Sequence, residues 1–197
     1  VNWRIVYYTG AAAGILITLV LVFQVFPDTY RTVERSRSIS FKCFFGSLNV
    51  WLLAMIMFLY SGAGHSINTW VNKYMGDVVK LSVLFASGSL AIYNLGLALG
   101  RFVCSLIAEN MGYYRLMLFS TIGGLGAIVL ALFSHSVIIM MIGLGLTGFF
   151  FGGLFPTAIA IGGQLYPKQK GGITGVLVMM AALGSMTIPA VTGVLSQ

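Results

Sequence analysis

The chain has 197 residues, of which 58% are hydrophobic and only 8% charged, with a mean hydropathy of +0.97. Soluble domains carry about 25% charged residues, so a water-soluble globule of this composition would lack the polar surface to cover itself. The formal net charge of +7 does not signal nucleic acid, because the basic residues are scattered between apolar runs and form no patch.

Asn2, Trp3 and Arg4 read as a polar and aromatic lead-in at a membrane interface. An apolar run from about Ile5 to Phe26 follows, long enough at 1.5 Å per residue to cross a hydrocarbon core of about 30 Å. It is too long for a signal-peptide core, and similar runs follow it. The chain starts at Val1, so the expectation is a piece of a longer protein. Pro27 ends this run. The polar stretch from Asp28 to about Ser47 then carries Arg31, Arg35, Arg37 and Lys42 and reads as a linker that contacts anionic lipid.

The second helix is expected from about Val50 to Tyr74. Ser61, His65, Asn68 and Asn72 fall within an arc of about 60° on it, one stripe down one side. Polar groups in hydrocarbon are costly, so this stripe should face protein or a water-filled cavity. Hydrogen bonding to neighbouring helices is the plainer alternative. Trp70 lies opposite Ser61 and reads as a lipid-interface anchor. A turn is expected at Gly76 and Asp77.

A third helix is expected from about Leu81 to Ile107, with Ser87, Asn94 and Arg101 on one face and a small-xxx-small pair at Gly96 and Gly100. The fourth runs from about Tyr114 to Ser134, and His135 falls in a short loop. The fifth, about Val137 to Gln164, is rich in glycine and holds Pro156, which predicts a kink. The sixth runs from about Gly172 to Leu195, with Pro189 near its end.

Six crossings make two alternating sets of loops. Arg31, Arg35, Arg37, Lys42, Arg101, Arg115, Lys168 and Lys170 fall in one set; Arg4, Lys73 and Lys80 fall in the other. The richer set is cytoplasmic by the positive-inside rule, which puts the linker in the cytoplasm. Cys43 and Cys104 then lie on the reducing side as free thiols.

Gly143, Gly145 and Gly148 fit G-x-G-x-x-G, but that fingerprint needs a preceding strand and an aqueous pyrophosphate site. Close helix packing or bending explains these glycines better. The two histidines are far apart, no G-x-S-x-G or H-E-x-x-H is present, and no carboxylate is expected at mid-membrane depth. The reading is therefore not an enzyme, with no cofactor and no metal.

The ending of the third helix, Gly96-x-x-x-Gly100-Arg101, is followed by Glu109, Gly112 and Arg115. This layout resembles the major facilitator superfamily, where it marks the tight cytoplasmic turn between helices eight and nine. Glu109 stands where that family more often has Asp. The resemblance implies an all-α integral membrane fold: six transmembrane helices of a 12-helix bundle, corresponding to helices six to eleven. Residues 1–26 would be the last helix of the N-terminal bundle, 27–48 the cytoplasmic linker, and 49–197 the C-terminal bundle, truncated before its last helix. Gly62, Ile67, Trp70 and Tyr74, together with Phe155-Pro156-Thr157 and the spacing from Gly175 to Pro189, resemble the fucose–proton symporter group.

The implied function is secondary active transport of a small polar solute, a sugar or similar metabolite, by alternating access in the cell membrane, with proton coupling. The partners expected are that solute, the lipid bilayer and the missing N-terminal bundle. His65, Asn68 and Asn72 would bind the solute, with Ser61 deeper and Asn94 on the next helix; amides and imidazole suit hydroxyls, where direction matters more than charge. An imidazole also titrates near neutral pH, which would add pH dependence. Arg101, Glu109 and Arg115 would latch the cytoplasmic face. The alternatives are an exporter of drugs or organic ions, for which Phe149, Phe150 and Phe151 hint at an aromatic cavity, and a non-transporting membrane scaffold.

Overall fold

The structure is a computed structural model that describes residues 47–134 and 136–195, together with the single position Ile15. The helix expected over 5–26, nearly all of the linker, Cys43 and His135 lie outside the described residues. The described chain is helical throughout its apolar runs, as hydrocarbon requires, because a helix satisfies its backbone groups within the segment. α1 spans Leu48–Lys73 and continues through a π-helical turn, Tyr74–Val78; α2 spans Val83–Met111 and α3 Tyr113–Phe133. α4 spans Val137–Gly152, α5 Leu154–Leu165 and α6 Lys170–Leu195, with a 3-10 turn at Pro167–Gln169 before α6. With α4 and α5 counted as one broken crossing, five segments among the described residues are long and apolar enough to span a membrane.

Local chemistry sets the boundaries. Gly112 alone separates α2 from α3, at a φ of 81° that glycine tolerates and a side chain resists, and its N–H closes α2 on the Ala108 carbonyl at 3.1 Å. The turn expected at Gly76 and Asp77 lies instead within the π-helical end of α1. The reversal comes after it, where Lys80 takes a φ of 60°.

The fifth predicted helix is divided at Gly153. Pro156 has no N–H to offer the Gly152 carbonyl, so the chain restarts, and Pro156 becomes the third residue of α5, where no intrahelical donor is needed. Thr157 then bonds to the Gly153 carbonyl at 3.1 Å.

Two helix pairs make the most extensive contacts, α1 with α6 and α2 with α4. Both depend on glycine. A Cβ on Gly96 would strike the Gly145 carbonyl, one on Gly100 the Phe149 carbonyl, and one on Gly148 the Tyr93 carbonyl. Gly184 meets the Phe58 carbonyl of α1 in the same way. Gly143 faces elsewhere: a Cβ on it would come within 2.9 Å of the Ala131 backbone on α3. The glycines that fit a nucleotide fingerprint are thus packing surfaces for two neighbours. Without a hydrophobic force between helices in lipid, this close approach is what holds them together. Two clusters fill the remaining interior: Met57, Leu154, Ile161, Ile173 and Leu177 around one end, and Val71, Met75, Met140 and Leu144 around the other.

Gly100→Ala is expected to destabilise the full-length protein by about 2 kcal/mol, since the new methyl lands on backbone that cannot turn aside. Gly126→Ala, which meets nothing within 4 Å, should be neutral or mildly stabilising. Thermal unfolding midpoints of the two variants check this.

Candidate functional site

α1 and α2 run antiparallel, and their facing residues form a polar seam. On α1, Tyr60, Gly64 and Asn68 recur every fourth residue and so share one row. On α2, Arg101, Tyr93 and Asn94 answer them. The Asn94 amide donates to the Asn68 carbonyl oxygen at 3.1 Å and also to the Leu90 main-chain carbonyl at 2.9 Å. Asn68 in turn donates to the Gly64 carbonyl at 2.9 Å. At the other end of the row, the Arg101 guanidinium lies close enough to the Tyr60 hydroxyl to interact with it electrostatically.

Between these two pairs the Tyr93 hydroxyl lies beside Gly64, 3.3 Å from where a Cβ would be. Tyr93 is wholly buried, and its hydroxyl finds no hydrogen-bond partner among the described residues. Gly64 is what admits it: a side chain there would crowd the phenol.

The other expected site residues flank the seam. Nδ1 of His65 lies 2.9 Å from the Ser61 carbonyl, which fixes the proton on Nδ1 and leaves Nε2 outward on an exposed ring. Ser61 is half-buried, and Asn72 is exposed one turn above Asn68. The structure brings Asn68 and Asn94 into direct contact and sets His65 and Asn72 on the open side of the same face.

The back of α1 differs. Two apolar hollows of about 680 Å³ and 550 Å³ lie between α1 and α3, the first lined by Leu52, Ile56 and Leu59, the second by Ile67, Trp70 and Tyr74. Neither is lined by His65, Asn68 or Asn72. The polar stripe and the apolar grooves therefore occupy opposite sides of one helix.

Three expectations are altered. Trp70 is not a lipid anchor: its indole N–H donates to the Pro189 carbonyl at 3.1 Å, its ring packs on Gly193, and the Lys73 ammonium sits 5.4 Å above it. Pro189 carries no N–H, and its carbonyl collects both this donor and the Thr192 hydroxyl at 2.9 Å.

Arg101 does not sit in a loop. It lies about 15 Å along α2 from the helix end at Met111 and about 6 Å from the helix midpoint, with Tyr60 as its neighbour. The other charges that set the orientation still favour the same side. Glu109 and Arg115 are exposed around the Gly112 turn, and Glu109 shares the wall of a cavity of about 520 Å³ with Arg101, Phe155 and Pro156.

The third change concerns the phenylalanines, which are packed. Phe150 fills the space over Gly123 and meets Phe119 edge-on at 5.6 Å, while Phe151 meets Tyr60 edge-on at 5.6 Å.

Cys104 is a free, buried thiol packed against Gly153. Among the described residues no three His, Cys, Asp or Glu come together as a metal site would need. Tyr60, Gly64 and Tyr93 escaped the sequence reading. The signal for Tyr93 was its place beside Asn94, and for Gly64 its spacing between Tyr60 and Asn68.

Residues 74–197 match the family model described as Major Facilitator Superfamily. The chain belongs to that family. Three curated proteins bracket it at low identity. The Escherichia coli (strain K12) inner membrane transport protein YdiN is 25% identical over 93% of this chain and 44% of its own length. Two Helicobacter pylori proteins, each described as a putative glucose/galactose transporter, are 24% (strain J99) and 23% (strain 26695) identical over 96% of this chain and 46% of their own length. The chain thus spans less than half the length of these relatives. Its apolar helices and its family make it a multi-pass membrane protein.

A double-mutant cycle of Asn68→Ala and Asn94→Ala in the full-length protein is expected to give a coupling of about 0.6 kcal/mol, typical of a side-chain hydrogen bond between membrane helices. It is read from unfolding midpoints in mild detergent.

Proposed function

We propose that the full-length protein is a secondary transporter of a small, hydroxyl-rich solute. Its binding face in this chain would be the open side of the α1–α2 seam: His65, Asn68, Asn72 and Asn94, with Ser61 below. The observation that carries this reading is the division of α1 into a polar front and an apolar back. Lipid accepts the back; the front calls for water, solute or protein. In such transporters the site lies near the bilayer midplane between two bundles that rock about it. The names of the relatives agree with a transport role, and two of them name glucose and galactose. Sugar is accordingly the first solute class to test.

Each group has a task. Nε2 of His65, with its proton on Nδ1, accepts a hydrogen bond from a hydroxyl. Asn68 has one amide hydrogen left after bonding Gly64, and Asn94 has its carbonyl oxygen left after both its donors are used. A hydroxyl can donate to the second while accepting from the first. The break at Gly153 supplies a flexure between α4 and α5 for the rocking motion, with Pro156 keeping it from closing into one helix. Glu109 and Arg115, exposed at the cytoplasmic turn, form the latch that closes that side. The linker is cytoplasmic, the membrane is the cell membrane, and uptake is proton-coupled through groups in the other bundle.

Uptake of D-glucose and D-galactose into proteoliposomes carrying the full-length protein tests this. His65→Ala and Asn68→Ala are each expected to raise the apparent KM about tenfold, as loss of a direct hydrogen bond to solute does. Leu52→Ala, on the apolar back, should leave it unchanged. Unaltered KM in both polar variants would remove the assignment.

A further inference from the structure

Arg101 is a guanidinium near the middle of a membrane-length helix, and among the described residues no carboxylate forms an ion pair with it, although Glu109 lies on the wall of the same cavity. The sequence holds four acids. Asp28 and Glu34 lie outside the described residues. Asp77 is in the π turn beyond the far end of α1, and Glu109 is about 12 Å nearer the cytoplasmic end of α2. The neighbour Arg101 does have is neutral, the Tyr60 hydroxyl, which can engage a fraction of its five donors. An intramembrane charge is expensive unless paired, and its pairing with a neutral phenol leaves most of the cost standing.

A second observation points to the same spot. The Tyr93 hydroxyl is completely buried and unpartnered among the described residues, and it lies in the seam between Arg101 and Asn94. Unpaired buried hydroxyls are rare because each forfeits a hydrogen bond. The Arg101 guanidinium, within electrostatic range of both phenols, and the unpartnered Tyr93 O–H gather hydrogen-bond donors in one part of the seam. Arg101 is exposed and shares a face of α2 with Asn94, which precedes it by seven residues, two helical turns; it also lines the cavity of about 520 Å³ with Phe155 and Pro156.

We infer that Arg101, Tyr60 and Tyr93 form a carboxylate-binding subsite at the inner end of the proposed solute face, and that the solute is an organic acid carrying hydroxyls. The carboxylate takes two parallel N–H donors from Arg101, the bidentate geometry a guanidinium provides. Tyr60 donates to the carboxylate beside Arg101, and Tyr93 donates behind it. The hydroxyl-bearing end extends along the seam toward Asn68, Asn94 and His65. This inference rests on the reading of the α1–α2 face as the solute face and names the class of solute that face accepts.

The test uses purified full-length protein in nanodiscs, with binding measured by calorimetry for two probes of one skeleton, D-glucuronate and D-glucose. The wild type is expected to bind glucuronate more tightly than glucose. Arg101→Gln should weaken glucuronate about 30-fold, as removal of one member of a buried charge pair does, and leave glucose within about twofold. Arg101→Lys should recover part of the loss, since it restores charge without the fork. Tyr60→Phe should weaken glucuronate alone.

Three results would overturn the subsite. One is glucuronate binding no tighter than glucose in the wild type. Another is equal losses of both probes in Arg101→Gln. The last is a wild type indifferent to glucuronate but destabilised, when empty, by Arg101→Gln; that would show the counter-charge to be a carboxylate of the protein itself. In each of these cases glucose binding that still depends on His65 and Asn68 would leave the broader transport reading intact.

Discussion

The contact between α2 and α4 is made of backbone against backbone, and everything on the polar face follows from it. Gly96, Gly100, Gly148 and Gly152 strip both helices of side chains where they touch. α2 is thereby held at a fixed height and rotation. Its next face, turned toward α1, then carries Tyr93, Asn94 and Arg101 at defined places. Gly62 and Gly184 do the same for α1 against α6. In a solvent as apolar as the side chains, burial of Leu or Val between helices gains little over contact with lipid. Close van der Waals approach and hydrogen bonds gain more. The fold uses the first for its interior and the second for its seam.

The division of α1 has a consequence for how a membrane helix can be accepted by lipid and still carry polar groups. One helix cannot be wetted on all sides at membrane depth. Here Leu52, Ile56 and Leu59 line the back, and His65 and Asn72 stand on the front with Asn68 tied to α2. The Asn68–Asn94 bond ties the two helices at one end of the seam, and Arg101 lies beside Tyr60 at the other. The hydroxyl of Tyr93 is the buried side-chain polar group of the seam that has no hydrogen-bond partner among the described residues.

Much of this was legible in the sequence, and the reasons are specific. Long apolar runs give the helices, because composition alone decides what crosses hydrocarbon. Gly96 and Gly100 gave the close contact, since spacing of four puts both on one ridge. Ser61, His65, Asn68 and Asn72 gave the stripe from the same arithmetic. The misreadings share one cause: a wheel tells which residues share a side, not what lies opposite that side. Trp70 does lie away from Ser61, but α6 and its Pro189 carbonyl are there to receive it. Arg101 does share a face with Asn94, but a charge counted for topology was assigned to a loop when it belongs near mid-helix. Pro156 announced an interruption; the helices divide at Gly153, next to the Gly152 carbonyl four residues before Pro156 that lacks its donor.

The central claim is that the stripe on α1 meets water while its back meets lipid. Single cysteines placed by His65→Cys, Asn72→Cys, Leu52→Cys and Ile56→Cys, in full-length protein with Cys43 and Cys104 replaced by serine, decide it by reaction with a hydrophilic maleimide in intact membranes. The account predicts rapid modification at positions 65 and 72 and none at 52 and 56. Modification of positions 52 and 56 with positions 65 and 72 inert would contradict it.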